Sequence, residues 1–278
     1  MRNKPESLDD FDESDQVELN HLLLAGLVPI APNSKQQEIL RTGIMERITH
    51  SIAEHADLLT VRLKNGVWQT LKSGIRFKLL WTGTEGSSVL IEFAPGASLP
   101  GHRHSWVEEG IVLRGDLEMG ELKLGPLDYH MSPIGSRHAS IRSRQGALAY
   151  LRGTSLGHKT SVLRELLGGL LPLGGDSSLT VFANENEKWV EIIDGVFKRE
   201  LWSDSVWVSR IYRLEPGALV PGHSHLLAEE CMMLQGEVFL GDILLRAGEY
   251  QLAPAGSRHG EVYSDVGATL FVRGARDY

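Results

Sequence analysis

The chain has 278 residues, 42% of them apolar, with a formal net charge of −8 and an isoelectric point near 5.8. That apolar content can fill the cores of about two ordinary domains, which excludes a disordered chain, and the acidic balance argues against nucleic acid as a direct partner, since phosphate binding needs a basic face. No apolar run reaches the roughly 18 residues of a membrane span, the start lacks the apolar centre of a secretory signal, and the single cysteine, Cys231, excludes an intrachain disulfide, so a cytoplasmic protein away from the membrane is expected.

Residues 1–20 are rich in acids, among them Asp9, Asp10, Asp12, Glu13, Asp15 and Glu18, which predicts a solvated end. A short apolar helix is expected over Val17–Leu27, broken by Pro29 and Pro32. Ser34 with Gln37 three residues on has the form of a capping box. Beyond it Leu40, Ile44, Ile48 and Ile52 recur every fourth place, the apolar stripe of an amphipathic helix. Such a stripe packs either on the chain's own barrel or against another subunit or protein.

The rest of the chain is a repeat. Residues 65–153 align without a gap on residues 186–274, with 30 identities in 89 pairs and an offset of 121. A gapless match of that length means one fold present twice. Short apolar or alternating runs broken by Gly, Pro and Asp, such as Val89–Phe93, Gly110–Arg114 and Ala147–Leu151, predict an all-β barrel or jelly roll in each copy. The expected boundaries are a helical arm over 1–56, a first barrel over 57–155, a connector with a short helix over 156–177, and a second barrel over 178–278.

Within each copy lies one polar constellation. The first copy has His102-x-His104-x3-Glu108, then Gly115 and Pro133-x-Gly135-Ser136-Arg137-His138; the second has His223-x-His225-x3-Glu229, then Gly236 and Pro254-x-Gly256-Ser257-Arg258-His259. Residues two apart on a strand share a face, so each His-x-His pair aims into the barrel. The glutamate returns at the start of the next strand, and the last histidine arrives beyond a Pro-x-Gly turn. Three imidazoles and a carboxylate suit a borderline divalent metal such as Zn, Fe, Mn or Ni, and six-coordination would leave two positions open. Glu109 and Glu230 adjoin the chosen glutamates, but neighbours on a strand face opposite ways, so only one of each pair can reach the metal.

Other positions bear on the two sites. Cys231, two residues after Glu229, should share its inward face, either as a thiol near the second site or as a small buried apolar residue. Trp106 could line the mouth of the first site and Leu226 and Leu227 that of the second. Tyr129 and Tyr250 are expected to pack at a turn. No catalytic acid/base pair stands out beyond these ligands.

The pattern G-x5-H-x-H-x3-E-x6-G followed by P-x-G-x2-H resembles the cupin superfamily, and two copies resemble a bicupin. Each copy is more narrowly similar to the ChrR-type cupin of anti-sigma factors, through Trp68, Gly74-Ile75, Lys78-x-Leu80-Trp81, Pro95-Gly96-Ala97, Pro100 and the constellation itself. The resemblance implies two tandem double-stranded β-helix barrels behind a helical N-terminal arm. It implies metal ligands His102, His104, Glu108 and His138 in the first barrel and His223, His225, Glu229 and His259 in the second. Zinc-dependent anti-sigma factors also carry a His-x3-Cys-x2-Cys site in an N-terminal helical domain, whereas no cysteine precedes Cys231 here.

Two functions follow as expectations. One is a ChrR-like regulator that responds to an oxidant or small molecule, with a sigma factor or a second copy as partner through the N-terminal helix. The other is a metal-dependent dioxygenase acting on a small organic substrate. Cupin barrels often pair by exchanging edge strands, which implies a homodimer.

Overall fold

The computed structural model of the chain describes residues 13–26, 31–137, 139–157, 178–184 and 189–276. The chain separates into one unit ending at His55 and a second beginning at Ala56. The first unit holds helix α1 (Glu13–Gly26) and helix α2 (Ser34–Glu54). The capping box of α2 lies one residue earlier than the sequence pattern suggests. The Asn33 side chain accepts from the Gln36 amide at 3.0 Å, and the Gln36 side chain accepts from the Asn33 amide at 2.9 Å. Asparagine competes well with serine for this position, because its carbonyl reaches the free amides of the first turn. The expected helix within the connector lies outside the described residues.

The second unit contains both barrels. In the first, the long sheet runs in the order Tyr129–Ser132, Glu108–Gly115, Ala147–Thr154, Gly86–Phe93, Ile75–Gly83, Trp68–Lys72. The second repeats it as Tyr250–Ala253, Glu229–Leu240, Ala268–Ala275, Trp207–Leu214, Val196–Ser203, Val190–Ile193. All these pairings are antiparallel, so the all-β expectation holds. The glycine landmarks are steric. Gly115 and Gly236 have φ of +80° and +70°, and a Cβ there would meet the carbonyl oxygens of Gly146 and Gly267 at 1.8 and 2.1 Å, a position only glycine can fill.

Each barrel completes its sheet with a strand from before the other. Leu59–Val61, ahead of the first barrel, pairs with Tyr250–Leu252 of the second. Leu179–Val181, ahead of the second, pairs with Tyr129–Met131 of the first. The strand exchange that the resemblance associates with dimers thus occurs inside one chain. Both exchanged segments read Leu-Thr-Val. The stretch after each is fastened by a buried cation of its own barrel. Lys78, 1% exposed, donates to the carbonyls of Arg62 and Leu63 at 2.6 and 3.0 Å, and its counterpart Arg199 donates to the carbonyl of Phe182 at 3.0 Å.

Alternation along the strands then divides the side chains between two cores. In Trp207–Leu214, Val208, Arg210, Tyr212 and Leu214 line the interior of the second barrel, whereas Ser209 and Ile211 face the first. The shared core draws Leu80, Leu90, Ile111, Tyr129 and Tyr150 from one barrel and their counterparts Leu201, Ile211, Met232, Tyr250 and Phe271 from the other. Tyr129 and Tyr250 therefore sit in strands at the centre of this core, not at a turn, and both are fully buried. At about 1.5–3 kcal/mol for each large side chain removed from water, this core binds the barrels into one body.

Candidate metal centres

The histidine pair of each barrel is held by backbone. The amide of His104 donates to the Ser136 carbonyl at 3.0 Å, and the amide of Gly135 donates back to the His104 carbonyl at 2.9 Å. His225 repeats both bonds with Ser257 and Gly256 at 3.0 and 2.8 Å. The Pro-x-Gly-Ser turn is thus a clamp that joins the middle histidine to the segment carrying the last one. In the second barrel that segment continues as a short pairing that sets His223 opposite His259.

In the second barrel His223, His225, Glu229 and His259 each place a ligand atom within 4.8 Å of the others, and in the first barrel His102, His104 and Glu108 do the same. His138 lies outside the described residues. The first imidazole of each set is oriented alike. His102 Nδ1 lies 3.3 Å from the Pro100 carbonyl oxygen, and His223 Nδ1 lies 3.2 Å from that of Pro221. A carbonyl only accepts, so Nδ1 carries the proton and Nε2 presents its lone pair, the arrangement that orients a metal-binding histidine. Nε2 of His225 is buried with no hydrogen-bond partner, a costly state for a polar atom unless something else coordinates it.

Electrostatics keep the middle histidines neutral. Burial, then the neighbouring His102 and His130, lowers His104 to about 3. Burial, then His223, lowers His225 to about 4. A neutral imidazole at neutral pH is the form a metal requires. The donor set and its protonation therefore fit a divalent ion in both barrels.

The two centres differ in what surrounds them. All three described donors of the first are buried, and the cavity that His102 and Glu108 line is about 220 Å³, with Leu151 and Leu156 among its other lining residues. Trp106 is not among the residues lining it. The second set opens on a cavity of about 530 Å³, whose rim includes Leu226 and Leu227. Cys231 lines it too, 3% exposed. Burial and the adjacent Glu229 raise its thiol, so it stays protonated and behaves as a small apolar residue.

Glu109 and Glu230 face the other way, into the core between the barrels. Glu109 accepts from Tyr129 at 2.7 Å and from Ser209, and its Oε2 lies 2.9 Å from Nε of Arg273. Glu230 accepts from Tyr150 at 2.9 Å, from Tyr250 at 2.8 Å and from Ser88. Sequence reasoning assigned these glutamates no role, and it also passed over His130, Arg210 and Tyr212. The signal for the last two was in the alignment, where polar residues stand opposite Val89 and Ile91 on an inward-facing strand.

A family model described as the ChrR cupin-like domain matches residues 57–156 and again 177–275. Among curated proteins, the anti-sigma-E factor ChrR of Cereibacter sphaeroides is 29% identical over 89 residues, which cover 32% of this chain and 42% of that protein. The match thus spans less than half of that relative's length. Among solved structures, a putative dioxygenase from Nostoc punctiforme superposes with a TM-score of 0.59 at 17% identity, covering 80% of this chain and 83% of that one. A variant of Bacillus subtilis oxalate decarboxylase superposes with a TM-score of 0.56 at 17% identity, covering 79% and 78%. At such identities these neighbours speak for the fold alone.

Proposed function

Because the chain belongs to the ChrR cupin-like family and carries that domain twice, we propose that it is a metal-binding regulator whose second barrel receives a small molecule. The observation that carries this reading is the convergence of His223, His225, Glu229 and His259 within 4.8 Å beside a cavity of about 530 Å³, a size that suits a small organic ligand. His102, His104 and Glu108, with His138, would hold a second ion in the tighter barrel. The protein partner would be a sigma factor, as the name of the Cereibacter relative suggests, or a second copy of the chain. Either would dock on the apolar stripe of α2 at Leu40, Ile44, Ile48 and Ile52. Because the Cys231 thiol is held protonated, an organic ligand is favoured over an oxidant acting at this cysteine.

The accessible cavity also favours a second reading, an enzyme of the dioxygenase type. A bound ion would supply Lewis-acid or redox chemistry at an open position, while the chain's own residues bind the substrate and exclude water. Metal analysis of the purified protein, with oxygen uptake followed over small diketones, thiols and aromatic diols, separates the two. Metal that is lost in His225→Ala, with no uptake, is the result expected of the regulator. Uptake abolished by the same substitution establishes the enzyme, and the absence of bound metal overturns both.

A further inference from the structure

The two barrels carry the same donor pattern, yet their interiors differ at two inward positions. Where the first barrel has Val89 and Ile91, the second has Arg210 and Tyr212, and both side chains line the cavity onto which the second donor set opens. Arg276 lines the same cavity. Two guanidinium groups thus share it with one carboxylate, Glu229, among the described residues. The remaining wall is largely apolar, with Leu214, Val220, Leu240 and Leu270 among its residues. In the smaller cavity the charged residues are Lys72 and Glu108, and the Lys72 ammonium is exposed on the Ser98 carbonyl at 2.8 Å.

We infer that the second barrel binds a small organic monocarboxylate with an apolar body, its carboxylate received by Arg210 and Tyr212, and that the first barrel does not. The inference deepens the ligand-binding reading of this cavity and rests on it. A guanidinium offers a planar fork of donors that matches a carboxylate, and its five N–H groups allow it to serve two acceptors at once. Glu200, opposite Arg210 in the strand register, accepts from Ser203 at 2.6 Å at the exposed surface. A cation partly withdrawn from water selects an anion over its neutral isostere, because desolvation strengthens the attraction. The apolar wall then holds the body of the ligand, as in most small-molecule sites.

Calorimetric titration of the full chain with hexanoate and phenylacetate, and with hexanamide and phenylacetamide as neutral counterparts, tests this. The expected result is one equivalent of carboxylate bound per chain, at least about tenfold tighter than the amide. Arg210→Val, which installs the residue of the first barrel, should weaken the carboxylate about tenfold or more and leave the amide unchanged. Arg210→Gln, which keeps bulk and hydrogen bonding, should also weaken it, and Tyr212→Phe should weaken it by a smaller factor. Equal binding of acid and amide, two equivalents per chain, unchanged affinity in both Arg210 variants, or no binding of any probe overturns the inference. Metal content is measured on every sample, before and after chelation. Metal present without carboxylate selectivity sinks this inference alone. Selectivity that depends on Arg210 in protein without metal sinks the metal-binding proposal and leaves this one standing.

Discussion

Arg152 of the first barrel donates through Nε to Oε1 of Glu230 in the second at 3.2 Å. Its twin contact runs the other way, with Nε of Arg273 2.9 Å from Oε2 of Glu109. All four residues are at most 5% exposed, and Glu85 reaches both arginines, at 2.8 Å from Arg152 and 3.8 Å from Arg273. Tyr129, Tyr150 and Tyr250 supply hydrogen bonds to the two carboxylates. Burial followed by the charge of these glutamates raises all three phenols, so they remain donors across the physiological range.

A buried pair is weak evidence of stability, but breaking one is expensive, because the remaining charge is left without its partner. Glu230→Gln should cost about 3–5 kcal/mol, read as a lower midpoint in urea unfolding. Combined with Arg152→Met, the loss should fall short of the sum of the single losses by about 1–3 kcal/mol. Additive losses would mean that the two side chains do not couple.

The exchanged strands and the shared core predict that neither barrel is stable alone. A fragment of residues 57–157 lacks the Leu179–Val181 strand and exposes Leu90, Ile111, Tyr129 and Tyr150. Exposed edge strands and apolar patches of this kind drive association. Expressed separately, residues 57–157 and 178–276 should aggregate or self-associate, and expressed together they should co-purify as a one-to-one complex. Light scattering behind size exclusion reads the outcome, and two monodisperse folded monomers would contradict it.

Loss of one donor should act within one barrel. His225→Ala should remove about one metal equivalent per chain, and His104→Ala the other, each lowering affinity by about tenfold or more. Elemental mass spectrometry after dialysis against a weak chelator checks this. If either single variant lost both ions, the two centres would not be independent.

The pH dependence of the metal-free fold has a definite sign. His104 and His225 titrate at about 3 and about 4 when folded, against an ordinary value of 6.5. The unfolded chain takes up these protons near pH 6.5 and the native state does not, so stability is full above about pH 6.5 and falls as the pH drops towards 4. Urea midpoints of the metal-free protein at about pH 7.5, 6 and 5 should decline in that order. Bound metal should flatten the decline until the ion itself is displaced.

The repeat, the turn glycines and the spacing of the donors are short-range properties, which is why the barrel fold could be read from the chain without coordinates. Period-two alternation also bears on the adjacent glutamates. With Glu108 beside His102 and His104, Glu109 has to point away, and it does, towards Ser209 and Arg273. The capping residue of α2 moved from Ser34 to Asn33 because both residue types can accept from a first-turn amide, and only the backbone angles distinguish them.

What alternation could not say is where the outward face leads. Tyr129 and Tyr250 were expected at a turn, and each instead begins a strand whose outward face is covered. Their burial depends on a second barrel more than one hundred residues away in the chain. The exchanged Leu-Thr-Val strands fall at an offset of 120, one short of the repeat, and so lay outside the gapless alignment although the identity was visible.

By itself, then, the sequence determined the duplicated β-barrel, the two His/Glu constellations and the helical arm, since each rests on local periodicity or fixed spacing. The tertiary structure alone decided that the barrels exchange strands within one chain, that Glu109 and Glu230 each meet the other barrel's arginine, and that Arg210 and Tyr212 share a cavity with the second constellation. The first two arise from how two packed barrels bury a common face, and the third from how the second barrel wraps its strands around a cavity, and no pattern of neighbouring residues encodes either.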